Sequence, residues 1–132
     1  RSIPLSMVAP VAPVGGLRHL AELAAAEVRD VLAAYRDRDA DAAYVVWKND
    51  VVLDEAYTGY FRQLLTYMME DPRNITPCTH LLFMAKNIER IGDHATNIAE
   101  NVWFQVTGEP LNKQRSKRDL TSSPEMPKLG EP

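Results

Sequence analysis

In the stretch 85–100, Ala-Lys-Asn-Ile-Glu-Arg-Ile-Gly-Asp-His-Ala-Thr-Asn-Ile-Ala-Glu, carboxylates recur at helical spacing. At about 100° per residue, Glu89, Asp93, Asn97 and Glu100 fall within about 80° of one another, while Ala85, Ile88, Ala95, Ile98, Ala99 and Val102 take the opposite side. Like charges at i and i+4 repel weakly in water and more strongly when desolvated. Glu89 and Asp93 are therefore best explained by a cation, or a cationic partner, between them. A second acidic pair stands in Asp50-Val-Val-Leu-Asp54. Around it Ala43, Val46, Asp50, Leu53, Tyr57, Tyr60, Leu64 and Tyr67 keep a heptad, so Asp50 occupies a core position. A carboxylate there is costly unless it is paired or bound to metal.

Together Asp50, Asp54, Glu89 and Asp93, with Asn97 and Glu100 near enough in angle to join, make an oxygen-only set. Such a set suits hard cations such as Mg²⁺, Ca²⁺, Mn²⁺ or Fe³⁺. The competing reading is that these acids merely pair with Lys86, Arg90 or Arg73. Arg90 lies beside the acidic stripe and is expected to neutralise it, His94 points away from it as a surface or partner-facing residue, and the two are the candidate partner-binding residues. Di-metal carboxylate enzymes also gather acids from several helices, but they use Glu-x-x-His pairs, and neither His80 nor His94 has a Glu three residues before it. A purely structural helical docking module would leave Asp50 unexplained.

Three helices are needed to position these groups. Leu17, Leu20, Leu23, Ala24, Val28, Val31, Leu32 and Tyr35 repeat at three and four residues, which predicts an amphipathic helix to about Asp37. Its other face, Arg18, Glu22, Glu27, Arg29 and Asp30, reads as solvated surface. Asp39 is a candidate N-cap for a second helix over about 40–70. Pro72 ends that helix, and Thr76-Pro77 reads as N-cap and first residue of a third helix that Gly108 and Pro110 stop. Counting outward from the turn, Asp54 is roughly 19 residues back and Asp93 roughly 20 forward, so an antiparallel hairpin sets them side by side. Gly92, inside a helix, predicts close approach of a neighbouring helix. Cys78 reads as a packed small residue, and Trp47 and Trp103 as core or core-edge residues. The fold expected is all-α, an antiparallel three-helix bundle.

The run Glu89-Arg-Ile-Gly-Asp-His94 with Asn97 and Glu100, preceded by Leu65-Thr-Tyr-Met-Met-Glu-Asp-Pro-Arg73, resembles the PhoU family of bacterial phosphate-signalling and phosphate-transport accessory proteins, over about Gly16 to Gly108. Family members are usually two tandem three-helix repeats with acidic E/D-x-x-x-D motifs, and this chain holds the second. The resemblance implies a metal cation on these carboxylates: iron, manganese, magnesium or zinc, in some members as multinuclear clusters. It further implies a non-enzymatic cytoplasmic regulator at the inner face of the bacterial inner membrane. Its partners would be the ATPase subunit of a phosphate ABC transporter and a sensor histidine kinase, with the phosphate-starvation response kept off when phosphate suffices. As half of a tandem repeat the chain is also expected to self-associate as a symmetric dimer, with Leu17, Leu20, Trp103 and Phe104 as candidate contacts.

The 132 residues divide on this reading into a Pro-rich linker (1–15), the helical domain (16–108) and a disordered basic, Pro-containing tail (109–132). Arg1-Ser2 reads as the end of a preceding helix, so a fragment of a longer protein is expected. The net charge of −3 gives no support to nucleic-acid or anionic-membrane binding. The single cysteine fits a reducing compartment. No apolar run reaches the roughly 20 residues of a membrane span, and Pro4, Pro10 and Pro13 interrupt the apolar N-terminal stretch, which argues against a signal peptide.

Overall fold

A computed structural model describes residues 13–111. The linker and tail readings fall almost wholly outside this range. Helix α1 spans Gly15–Asp37, α2 Ala40–Glu70 and α3 Ile75–Thr107, and each packs on the other two. No strand occurs among the described residues, as an all-α chain requires.

The α1–α2 joint is only two residues long. Arg38 takes the left-handed conformation (φ 50°). Its N–H reaches Tyr35 O at 3.3 Å, while the N–H of Asp39 reaches Ala34 O at 2.9 Å. These paired bonds close α1 as a Schellman motif, with arginine in the place glycine usually takes. Asp39 then caps α2, accepting the Ala42 N–H on Oδ1 at 3.0 Å. Because that donor has no intrahelical partner, Asp39→Ala should lower the unfolding free energy by about 1 kcal/mol, measured by urea denaturation. An unchanged midpoint would show that water substitutes for the cap.

At the α2–α3 joint a single 3₁₀ turn, Pro72–Asn74, intervenes. The third helix consequently starts at Ile75, not at the Thr76-Pro77 cap expected from sequence, and Pro77 sits within its first turn. Asp71 holds the turn through the Arg73 N–H (2.9 Å) and guanidinium (2.7 Å). Asn74, fully buried, donates from Nδ2 to Tyr67 O at 2.9 Å and locks the turn to the end of α2. Gly108 (φ 79°) ends α3 with its N–H on Phe104 O. The chain stays packed as far as Leu111, which is buried.

The core is two apolar clusters with a polar layer between them. Toward the α1 N-terminus lie Leu20, Ala24, Leu53, Tyr60, Leu64, Cys78 and Ala85. Toward the α1–α2 joint lie Val31, Ala34, Ala43, Val46, Trp47, Ala95, Ala99, Val102 and Leu111. On every helix one buried seam residue falls between them: Glu27 on α1, Asp50 on α2 and Gly92 on α3.

Two expectations for α1 need correction. Glu27, expected on the solvated face, is only 8% exposed, because the buried seam runs through Leu20, Ala24, Glu27, Val31 and Ala34. For the same reason Leu32 (52%) and Tyr35 (59%) lie outside it. Leu20, offered as an inter-chain contact, is 1% exposed and belongs to the chain's own core.

Candidate functional site: a carboxylate layer inside the bundle

Asp50 is 1% exposed, in the α2 seam where its heptad placed it. Facing it from α1 is Glu27, and the α3 residue at this level is Gly92. A Cβ built on Gly92 would meet Leu53 Cδ2 and stand 3.3 Å from both Asp50 Oδ1 and Glu27 Oε1. The missing side chain is thus what lets Leu53 and two carboxyl groups share one level of the bundle. Close approach at Gly92 is borne out, and two of the approaching groups are acidic.

Burial drives the Glu27 carboxyl up to about 9, helped by the charge of Asp50, a hydrogen bond between the two carboxyls, and the charges of Asp54 and Asp93. Desolvation comes first because an ionised carboxylate loses its hydration here, and like charges add to it. Two carboxyls hydrogen-bond only with a proton between them, and the upward shift favours that proton on Glu27. Its Oε1 nonetheless receives no hydrogen bond.

The charges of Asp54, one turn beyond Asp50, and of Asp93, next to Gly92, also act on Glu27; the first is half-buried and the second exposed. The geometry places Asp50 beside Glu27, while Asp54 and Asp93 act on it through their charge. The other predicted acids have local partners: Glu89 accepts from Lys86 Nζ at 2.9 Å, and Glu100 Oε2 accepts from Trp47 Nε1 at 3.0 Å. Asn97, Arg90 and His94 are exposed. Trp47 is buried and stacks on Tyr44, which also meets Trp103. Burial raises the Cys78 thiol, consistent with a packing role.

A groove of about 340 Å³ between α1 and α2 leads to this layer, with Glu27, Asp30 and Asn49 as its polar lining and Leu23, Val45 and Val52 as apolar walls. Sequence reasoning missed Glu27, although its position in a four-three seam was available as a signal.

The layer's chemistry is that of hard-cation ligands, all oxygen and mostly anionic. Glu27 Oε1, buried and without a donor, is a site for such an ion to satisfy. Among the described residues, however, no three His, Cys, Asp or Glu side chains already stand in metal-holding positions.

The PhoU domain matches residues 17–102. A phosphate-specific transport system accessory protein PhoU homolog of Xylella fastidiosa (strain 9a5c) is 56% identical over 123 residues, covering 93% of this chain and 52% of the relative. That of Rhizobium meliloti (strain 1021) is 57% identical over 108 residues, covering 82% and 46%. The accessory protein PhoU of Escherichia coli (strain K12) is 44% identical over 82 residues, covering 62% and 34%. The chain thus spans about half the length, or less, of the curated relatives it matches. No solved structure matches it. With the family pattern running from the first buried turn of α1 to the last of α3, the chain belongs to the PhoU family.

Proposed function

We propose that this chain is a non-enzymatic regulatory module of a phosphate-specific transport system. In this reading it relays the state of the transporter's ATPase subunit to a sensor histidine kinase at the cytoplasmic face of the inner membrane. What carries the reading is family membership across all three helices. Among the described residues no helix is long and apolar enough to cross a membrane. A strain lacking its own homologue, expressing the full-length protein that contains this chain, tests the regulatory reading. A phosphate-starvation reporter should fall silent in high phosphate; a reporter that stays on refutes it.

The carboxylate layer is proposed to hold a hard cation through Asp50, Asp54 and Asp93, with Glu89, Asn97 and Glu100 as further oxygen donors on the same side of the hairpin. A bound cation would supply fixed positive charge that offsets their mutual repulsion. Binding to the folded state alone adds RT ln(1 + [L]/Kd) to stability, about 2.7 kcal/mol at a hundredfold excess over Kd. Mn²⁺ should therefore raise the melting temperature, and Asp50→Ala combined with Asp93→Ala should abolish the rise. An absence of metal by elemental analysis, with melting unchanged by Mn²⁺, Fe³⁺ or Mg²⁺, would remove the cation from the proposal and leave the regulatory role standing.

A further inference from the structure

We propose that Glu27 on α1 is a cation ligand, so that the acidic site draws on all three helices and not only on the two acidic pairs of α2 and α3. This rests on the cation reading above and goes beyond it in the residue and the helix it adds. Glu27 belongs to neither i, i+4 pair, and it sits on the seam of α1 between Ala24 and Val31. Its side chain is more than nine-tenths buried, and Oε1 has no hydrogen-bond donor. That oxygen and Asp50 Oδ1 lie at the same 3.3 Å from the point a Gly92 Cβ would occupy, so the two are already neighbours across the α1–α2–α3 junction.

A buried acid that merely filled space would have its oxygens bonded to donors or would be replaced by an apolar residue. Among the described residues, the charged groups that raise this carboxyl are the carboxylates Asp50, Asp54 and Asp93. A cation answers that arrangement with one ion. The groove that Glu27 lines, mostly apolar but with Asp30 and Asn49 beside it, opens at the α1–α2 surface.

The structural consequence is a tie between α1 and the α2–α3 hairpin. An ion held by the hairpin alone would leave α1 docking to apolar contacts, whereas an ion shared with Glu27 couples α1 docking to metal loading. Metal should then slow amide hydrogen exchange in the middle of α1 as well as near Asp50 and Asp93.

The test uses Mn²⁺ alone on the 132-residue chain, with binding read by loss of the free-ion EPR signal and α1 protection read by hydrogen exchange with mass spectrometry. Glu27→Gln should weaken Mn²⁺ binding by about tenfold or more, as loss of a ligand or its support does, and should remove the metal-dependent protection of α1. Glu27→Met guards against an amide oxygen substituting as ligand and should give the same result. Glu22→Gln, on the exposed face of the same helix, should bind like the unsubstituted chain. Mn²⁺ binding and α1 protection unchanged in both Glu27 variants, with binding lost in Asp50→Ala, would overturn the role of Glu27 and leave the hairpin site intact. No Mn²⁺ binding by the unsubstituted chain would overturn both.

Discussion

In the metal-free chain, Glu27→Gln should raise the unfolding free energy by roughly 2 kcal/mol at pH 7, with a larger gain at pH 8 and none at pH 4. Folding lifts the Glu27 carboxyl from its ordinary value of 4.5 to about 9, through burial first and the neighbouring carboxylates second. Between those two values the folded chain holds a proton that the unfolded chain has released. Stability must then fall as pH rises through this window, by at most about 1.4 kcal/mol per unit for one proton. The direction is opposite to that of a salt-bridged carboxylate, whose stabilisation is lost as pH falls. Glutamine keeps the shape and can donate its amide N–H to Asp50 without taking a proton from solvent. Urea denaturation at several pH values between 4 and 9 should therefore show a downward slope in the unsubstituted chain and a flatter line in the variant. If the variant is less stable at every pH, Glu27 is engaged in an attractive interaction and the repulsive layer described above is wrong.

Sequence logic found Asp50 and missed Glu27, although the two residues make the same kind of departure from pattern. On α2 a long heptad surrounds Asp50, with Val46 before it and Leu53 after it, so the carboxylate can only be inside. On α1 the apolar residues are dense enough to draw two overlapping stripes. One runs through Val28, Leu32 and Tyr35, the other through Leu20, Ala24, Val31 and Ala34. Placing every charge on the solvent side merges the two into one broad face, and with it takes in Leu32 and Tyr35, which proved exposed. The second continues the four-three spacing only if Glu27 is accepted as a seam residue. Composition cannot make that choice; the facing helix does, because Gly92 on α3 vacates the space that two carboxyl groups and Leu53 fill. The hairpin was more legible, since Pro72 ends α2 and α3 packs back along it. The Lys86–Glu89 pair was legible as the competing reading, whereas the Glu100 partner was not, because a tryptophan 53 residues away leaves no signal in one dimension.

The position least tolerant of change should be Gly92. A side chain there would run into Leu53 Cδ2 at once, and its Cβ would already stand 3.3 Å from two carboxyl oxygens. Leu53 is buried in a cluster with Leu20, Tyr60 and Leu64, so its methyl cannot swing away without displacing core neighbours. Gly92→Val should accordingly cost about 3 kcal/mol or more, since the overpacking far exceeds the small helix-propensity gain over glycine. Leu53→Ala alone should also destabilise, by about 2–5 kcal/mol, through the cavity it leaves. Combined, the two changes remove each other's main fault, and the double variant should be more stable than their sum predicts by at least about 1 kcal/mol. Strict additivity would mean that valine's cost arises elsewhere, in the carboxylate layer. In that case Glu27→Ala should rescue Gly92→Val where Leu53→Ala does not. The two rescues therefore measure which neighbour Gly92 makes room for, the apolar core or the acidic site set into it.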